Sequence, residues 1–302
     1  MLFYAIINLV TYIIQKKFKK IYGEMMDFSK LIDQLKEQGY FCEDDLALVL
    51  SLSELLAKPI LLEGPAGVGK TELARAYAAA KGRELIRLPC YEGLDERHAL
   101  YEWNYQKQLL YLESQKRQDW SAVKKELFGD EFLLPRPLLK AFLSETPTVL
   151  LIDEIDKSDE EFESFLLEAL GDFSVTIPEL GTVKAKTVPM IFLTSNAMRD
   201  FSDGLKRRCV HYYIDYPTPE REAAILRAKV PRLDEALSAD IAAFAAKVRH
   251  MKLERHPGLA EVLDWAKALV SLGICNLDDP NIANTYHFLV KSRTDFEKLT
   301  HQ

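Results

Sequence analysis

A glycine-rich stretch has the residue types and the spacing of a phosphate-binding loop. Residues 64–71 read Gly-Pro-Ala-Gly-Val-Gly-Lys-Thr, after a short apolar run and before a helical pattern. Glycines allow successive backbone N–H groups to point into one concavity, and the following helix adds free N–H groups and the positive end of its dipole. This order of strand, loop and helix predicts a nucleoside triphosphate site rather than an empty turn.

The side chains of this stretch, here called the phosphate loop, divide the expected chemistry between them. The ammonium of Lys70 can reach the β- and γ-phosphates, and the hydroxyl of Thr71 can ligate Mg²⁺. The predicted nucleotide-binding residues are the loop and the first residue after it: Gly64, Pro65, Ala66, Gly67, Val68, Gly69, Lys70, Thr71 and Glu72.

Two adjacent carboxylates, Asp153 and Glu154, follow a second apolar run about eighty residues farther along the chain. Residues 149–152 are continuously apolar, as expected of a parallel strand covered on both faces. The carboxyl ends of such strands form the ligand crevice of an open α/β sheet. Asp153 is therefore predicted to hold Mg²⁺, and Glu154 to polarise a water for attack on the γ-phosphate. A glutamate here favours hydrolysis over transfer to a second substrate.

A third apolar run, at 190–193, ends in Thr194-Ser195-Asn196. The Asn196 amide can hydrogen-bond both the γ-phosphate and the attacking water, although asparagine is also common in simple turns. Its place at the end of a neighbouring predicted strand favours the functional interpretation.

Alternating strands and helices predict a parallel α/β sheet with helices on both faces. The expected strands are 59–62, 84–88, 148–152, 189–194 and 210–214, and 173–188 reads as a hairpin. Helical periodicity covers 28–57, 107–125 and 162–170, and two prolines at 133–137 break it. After 216 the pattern is wholly helical, with helices expected at about 219–229, 234–250, 257–272 and 281–290. We therefore expect an α/β nucleotide-binding domain at 26–215 and a small helical lid at 216–302.

The acidic balance of the chain argues against a protein that coats nucleic acid. The 302 residues are 48% hydrophobic and 28% charged, with a net charge of −7, which is ordinary for a soluble globular protein. The cysteines are scattered and form no C-x-x-C pair; they are Cys42, Cys90, Cys209 and Cys275. This usage favours reduced, buried thiols in a cytoplasmic protein.

The N-terminal segment at 1–25 needs a separate interpretation. Residues 1–14 carry no charged side chain, and four lysines follow within residues 16–20. The run is shorter than the roughly 20 apolar residues of a spanning helix, and its charges lie on the wrong side for a signal peptide. A helix against a membrane or a partner is one interpretation. An upstream extension, with the true start at Met25 or Met26, is favoured because the pattern of an ordinary domain begins only after Asp27.

Taken in order, these motifs resemble those of the AAA+ ATPases. Residues 64–71, Asp153-Glu154 and Asn196 look like the Walker A, Walker B and sensor 1 motifs of that superfamily. The hairpin at 173–188, the sequence Leu-Tyr-Glu-Trp-Asn-Tyr at 100–105 and the sequence Pro-Gly-x-x-Glu-x-Leu-x-Trp-Ala at 257–266 are similar to the MoxR branch and its CoxD-like members.

The resemblance implies Mg²⁺-dependent ATP hydrolysis in a ring, usually a hexamer, with ATP at the subunit interfaces. A neighbouring subunit would supply an arginine finger, and the matching position is Arg208, with Arg207 as the alternative. Many relatives also carry a sensor 2 arginine in the lid. The aligned residue here looks like Leu259, and Arg255 is only a weak substitute, so sensor 2 stays unassigned.

MoxR relatives look like maturation chaperones that work with a partner containing a von Willebrand factor A domain and act on a client protein. The resemblance therefore implies a motor that assists maturation or assembly of a metalloprotein complex. Two other classes stay open: a nucleic-acid motor built on the same core, and a nucleotide switch that does not hydrolyse. The acidic balance counts against the first, and Glu154, Asn196 and Arg208 count against the second.

Overall fold

The computed structural model describes residues 28–114 and 127–300. The N-terminal segment at 1–25 and the second half of the helix expected at 107–125 lie outside the described residues. Within the described part of the chain, no helix combines the length and the apolar character needed to cross a membrane.

The elements follow one another in the predicted alternation. The first part contains α1 (Phe28–Glu37), α2 (Asp44–Leu55), β1 (Ile60–Glu63), α3 (Lys70–Ala80), β2 (Leu85–Pro89), α4 (Glu96–Leu100), β3 (Tyr101–Trp103), α5 (Tyr105–Ser114), β4 (Leu133–Pro135) and α6 (Pro137–Leu143). The central part contains β5 (Val149–Asp153), α7 (Glu160–Asp172), β6 (Ser174–Ile177), β7 (Gly181–Lys184), β8 (Met190–Ser195), α8 (Asp203–Arg208) and β9 (Val210–Tyr213). The last part contains α9 (Pro219–Lys229), α10 (Glu235–Arg249), α11 (Leu259–Leu272) and α12 (Arg293–Thr300). Short 3₁₀ helices span Asp130–Phe132, Ile155–Lys157 and Ile282–Phe288.

Five parallel strands form the central sheet, in the order β2-β5-β8-β1-β9. Residues of β5 and β8 are buried along their whole length. Alternate side chains enter two different cores: Leu150 and Ile152 pack on one face, and Val149 and Leu151 on the other. This burial on both faces explains the continuous apolar runs, because a strand with one face exposed to solvent would alternate apolar and polar residues. The predicted parallel α/β sheet with helices on both faces is confirmed.

Two small antiparallel pairs stand outside this sheet. The hairpin expected at 173–188 is present as β6 and β7, with Ile177 opposite Gly181. The pairing of β3 with β4, which places Trp103 opposite Leu133, was not predicted. The prolines at 133–137 had been interpreted only as a break in the helical pattern. That interpretation missed β4, because its partner lies about thirty residues away and local periodicity carries no sign of it.

The C-terminal helices share a core around Trp265, whose side chain is fully buried and whose indole N–H donates to Thr285 Oγ1 at 2.7 Å. Helix α9 has the expected bounds, and Pro219 occupies its first turn. The helix expected at 281–290 is instead a 3₁₀ helix, followed by α12, which the sequence had not resolved as a separate element. The division of the chain into domains stays a prediction.

All four cysteines are free, but only Cys90 and Cys209 are buried. Cys42 is half-buried and Cys275 is exposed, so the expectation of buried thiols holds for two of the four.

A buried ion pair joins α9 to α10. The guanidinium of Arg249 donates through Nη1 and Nη2 to the two carboxylate oxygens of Glu222, each at 2.7 Å. The two side chains are 6% and 0% exposed. Arg249 Nε also donates to the backbone oxygen of Pro257 at 2.9 Å, and the guanidinium lies over the Tyr216 ring. This one side chain therefore ties together the segments before α9 and before α11.

Removing the positive charge of this pair should destabilise the protein strongly, because the Glu222 carboxylate would be left buried and unpaired. We expect Arg249→Met to lower the free energy of unfolding by about 3–5 kcal/mol. The matched control is Arg293→Met, which removes an arginine from a pair with Glu297 whose Arg293 side chain is 92% exposed. That control should change the free energy by less than about 1 kcal/mol. Urea denaturation followed by circular dichroism measures both, and equal losses would contradict the account.

Candidate functional site

The phosphate loop connects β1 to α3 in a conformation that its glycines make possible. Gly69, at the start of α3, has φ of 100°, where other residues are strained. Gly64 lies against the end of β9 so closely that an added Cβ would stand 2.0 Å from the backbone oxygen of Ile214. The loop is therefore held against the sheet, and the N-terminus of α3 opens into it.

The side chain of Lys70 lies inside this loop and is only 7% exposed. Its Nζ donates to the backbone oxygens of Gly64 and Pro65, each at 2.7 Å, and to Asn196 Oδ1 at 3.0 Å. Three acceptors satisfy the three protons of an ammonium. The predicted lysine and the predicted sensor asparagine are thus in direct contact, although 126 positions separate them in the chain.

Burial lowers the pKa of Lys70 to about 8. The nearby carboxylates of Asp156, Asp153 and Glu154 act in the opposite direction and favour the ammonium. Lys70 is therefore a cation whose proton is held less tightly than that of an ordinary surface lysine.

The carboxylate of Asp153, 3% exposed, sits at the end of β5 with both oxygens bonded. Oδ1 accepts from Thr71 Oγ1 at 2.8 Å and from Thr194 Oγ1 at 2.6 Å. Oδ2 accepts from Arg87 Nε at 3.0 Å and Nη2 at 2.6 Å. Burial alone would raise the pKa of Asp153, but the hydrogen bonds from Thr194, Thr71 and Arg87 outweigh it and hold the pKa below its usual range. Asp153 is therefore charged.

Thr71 and Asp153, the two residues predicted to hold Mg²⁺, offer adjacent oxygens of the hard type that this ion prefers. Among the described residues, no group of three or more His, Cys, Asp or Glu side chains could hold a metal. Mg²⁺ in phosphate-transfer sites is usually bound by one or two protein oxygens together with substrate phosphates. The donor set therefore fits a magnesium ion that shares its coordination with a nucleotide.

Glu154 has a left-handed backbone, with φ of 58° and ψ of 49°, which is uncommon for a residue with a side chain. Its N–H donates to Thr194 Oγ1 at 2.9 Å. Its carboxylate is 43% exposed and accepts from Lys157 Nζ at 2.5 Å. The kink separates the exposed carboxylate of Glu154 from the buried one of Asp153, and only the exposed carboxylate is accessible to water.

Three residues of the site were missed by sequence reasoning as functional candidates: Arg87, Thr194 and Asp156. Asp156 is 8% exposed and accepts from the Asn196 N–H at 3.1 Å through Oδ2. Its Oδ1 is buried with no hydrogen-bond partner in the described part of the chain. Arg87 had a usable signal, since it is the one charged residue in the apolar stretch 85–89.

Among the described residues, the arginines predicted as finger residues make no hydrogen bond or ion pair with this cluster. Arg207 and Arg208 are exposed at the end of α8, and Arg208 Nη1 donates to the Gly204 backbone oxygen at 3.4 Å. Neither is among the residues that line a cavity next to the phosphate loop. In the C-terminal helical part of the chain, Arg255 is exposed and Leu259 lines that cavity.

A cavity of about 490 Å³ lies between the phosphate loop and the C-terminal helices. Gly67, Val68, Gly69 and Glu72 of the predicted nucleotide-binding set line it, together with apolar side chains that include Tyr40, Phe41, Leu259 and Leu263. Its volume is within the range of small-molecule sites.

The start of α11 rests directly on the phosphate loop. A Cβ added at Gly258 would lie 2.6 Å from the Ala66 backbone oxygen and 2.7 Å from Gly67 Cα. The N–H of Ala260 donates to the Gly67 backbone oxygen at 3.3 Å. The glycine of the Pro-Gly pair is thus required by this close approach.

Comparison with known protein families gives one match. Residues 59–209, half of the chain, match the AAA domain family of the dynein-related subfamily. No curated protein sequence matches the chain.

Solved structures that resemble the chain include RuvB proteins of Thermotoga maritima. One single-substitution variant is 16% identical with a TM-score of 0.47, over 80% of this chain and 66% of that one. A second variant is 17% identical with a TM-score of 0.47, over 84% of this chain and 69% of that one. RuvB described as the Holliday junction branch migration motor is 17% identical with a TM-score of 0.45, over 84% of this chain and 68% of that one. The chain thus spans slightly less than two thirds of the first of these proteins.

AAA family ATPases generally bind ATP with Mg²⁺, and the phosphate loop, Asp153 and Asn196 of this chain lie inside the matched residues 59–209. The chain belongs to the AAA family, in its dynein-related subfamily.

Proposed function

We propose that this protein is a Mg²⁺-dependent ATP hydrolase. The observation that carries the proposal is the meeting of Lys70 with Asn196 at 3.0 Å, beside the hydrogen bond of Thr71 with Asp153 at 2.8 Å. A phosphate-binding cation, a metal-binding pair and a polar amide thus share one edge of the sheet. Such positioned charges and donors supply most of the catalysis in phosphoryl transfer.

The proposed roles follow from the accessibility of each group. Lys70 and the loop N–H groups bind the phosphates, and Thr71 with Asp153 holds Mg²⁺, which neutralises phosphate charge when it is bound. Glu154 has the only exposed carboxylate of the Asp153-Glu154 pair, so it is the base that orients the attacking water. Its contact with Lys157 must open for this role. Asn196 positions the water and the γ-phosphate.

We further propose that the active form is a ring of identical subunits, with a hexamer as the expected size. Support comes from Arg207 and Arg208, which are exposed on α8 and do not line the cavity of their own chain. An arginine in that position is available to the nucleotide of a neighbouring subunit. Arg208 is the proposed finger and Arg207 the alternative.

The wider role proposed is that of a cytoplasmic MoxR-type chaperone of the CoxD-like branch. It would remodel or mature a client metalloprotein complex together with a von Willebrand factor A domain partner. The hairpin β6–β7 and the contact of Gly258, in the Pro-Gly sequence, with the phosphate loop support this assignment. A nucleic-acid motor is the second candidate, and a salt-dependent affinity for DNA would favour it.

The ring proposal predicts that ATP turnover per subunit depends on protein concentration. Starting from dilute protein, turnover should climb steeply and then saturate, because each site is completed by a second chain. Arg208→Ala should abolish the climb, since an arginine finger contributes about 10³–10⁵-fold to turnover. The control Lys206→Ala removes a neighbouring exposed cation of the same helix and should leave the climb unchanged. Substantial turnover that is flat with concentration would contradict the ring and the finger.

The low pKa of Lys70 predicts that ATP affinity falls at alkaline pH. Below pH 8, free Lys70 is charged and ready for phosphate; above pH 8, binding must first restore its proton. The dissociation constant of a fluorescent ATP analogue, measured without Mg²⁺, should therefore rise up to about tenfold per pH unit above pH 8.

Lys70→Arg is the control for this pH dependence, because a guanidinium stays protonated throughout the range. Whatever the absolute ATP affinity of Lys70→Arg, its dissociation constant should not rise with pH in this range. A wild-type dissociation constant that is constant from pH 7 to pH 9.5 would contradict the prediction.

A further inference from the structure

Arg87 contacts the site from the edge strand β2. Pro89 of that strand stands opposite Asp153 in the parallel register, so the long side chain of Arg87 runs along the strand toward the carboxylate. Nε and Nη2 both donate to Asp153 Oδ2, at 3.0 and 2.6 Å. The Arg87 side chain is 48% exposed, whereas that of Asp153 is 3% exposed. The partly exposed guanidinium of Arg87 thus lies between the buried carboxylate of Asp153 and the solvent.

The carboxylate of Asp153 has no vacant acceptor position in this arrangement. Each oxygen accepts two hydrogen bonds, which is about the capacity of an ionised carboxylate. The donors on Oδ1, Thr71 and Thr194, are neutral. Arg87 is the one cation that hydrogen-bonds to Asp153 among the described residues.

The charges around the site balance only when Arg87 is included. Asp153 and Asp156 are two buried carboxylates; both interact electrostatically with Lys70, and Arg87 hydrogen-bonds to Asp153. Glu154 has its own partner in Lys157. Without Arg87, one negative charge at the metal-binding position would be uncompensated and would attract a divalent cation.

We propose that Arg87 is an internal counter-ion of Asp153 that makes binding of the divalent metal depend on the nucleotide. This inference rests on the proposed ATPase function. Before the nucleotide binds, the guanidinium of Arg87 neutralises the carboxylate of Asp153. The nucleotide-free site then carries no excess negative charge that would attract Mg²⁺. The phosphates of the nucleotide then supply the missing negative charge together with further oxygen ligands. Arg87 acts through Asp153 and is therefore a positioning residue rather than a catalytic one.

The test is titration of nucleotide-free protein with Mn²⁺, followed by the electron paramagnetic resonance signal of the free ion. Arg87→Gln and Arg87→Met both remove the charge, and each should bind Mn²⁺ at least about tenfold more tightly than wild type. Arg87→Lys keeps the charge and should remain close to wild type. The matched control is Lys140→Gln, which removes an exposed cation paired with Glu84 just before β2, and it should leave Mn²⁺ affinity unchanged.

Two results would overturn the inference: Mn²⁺ affinity of both neutral variants equal to wild type, or a gain that survives the added substitution Asp153→Asn. Circular dichroism of each variant shows whether it is folded. Binding of a fluorescent ATP analogue in EDTA distinguishes a failure of the proposed ATPase function from a failure of the role of Arg87. Wild-type protein that binds no nucleotide would refute the proposed function itself. Normal nucleotide binding with unchanged Mn²⁺ affinity in the neutral variants would refute only the role of Arg87.

Discussion

Two opposite charges are buried at the carboxyl edge of the sheet, and the rest of the structure depends on satisfying them. Lys70 and Asp153 are 7% and 3% exposed. An ion in such a place carries an effective penalty of several kcal/mol unless hydrogen bonds replace its water. The bonds come from the phosphate loop, from β2, from the start of α3 and from the end of β8. The strand order β2-β5-β8-β1 is the arrangement that brings these segments together.

The same edge holds conformations that packing alone does not favour. Glu154 has a left-handed backbone, and Asp156 Oδ1 is buried without a hydrogen-bond partner among the described residues. Each costs on the order of 1–3 kcal/mol, and such features concentrate where a protein binds or reacts. The apolar strands beneath them provide the rigid support. The C-terminal helices add a second constraint, because the backbone of Gly258 lies against Gly67 and the Ala260 N–H donates to the Gly67 backbone oxygen.

The sequence predicted those parts of the site that local patterns encode. The phosphate loop, the buried strand before Asp153 and the strand before Asn196 each have a signature within about ten residues. The contacts between these parts could not be predicted from local patterns. Lys70 and Asn196, for example, come together only because the strands that precede them, β1 and β8, are neighbours in the sheet. The contact of Arg87 with Asp153 and the β3–β4 pairing also join residues that are distant in sequence, so local patterns do not reveal them. The role proposed for Arg208 requires a contact between chains, which the fold of one chain does not determine.

The catalytic role of Glu154 is the most direct test of the account. We would measure ATP affinity and ATP turnover of Glu154→Gln against wild type, with Glu161→Gln, an exposed carboxylate on α7, as the control. The account predicts that Glu154→Gln binds ATP as wild type does and that its turnover falls by about 10²–10⁴-fold, the usual contribution of a general base. Turnover of Glu154→Gln equal to that of wild type would contradict the assignment of this edge of the sheet as a hydrolytic site.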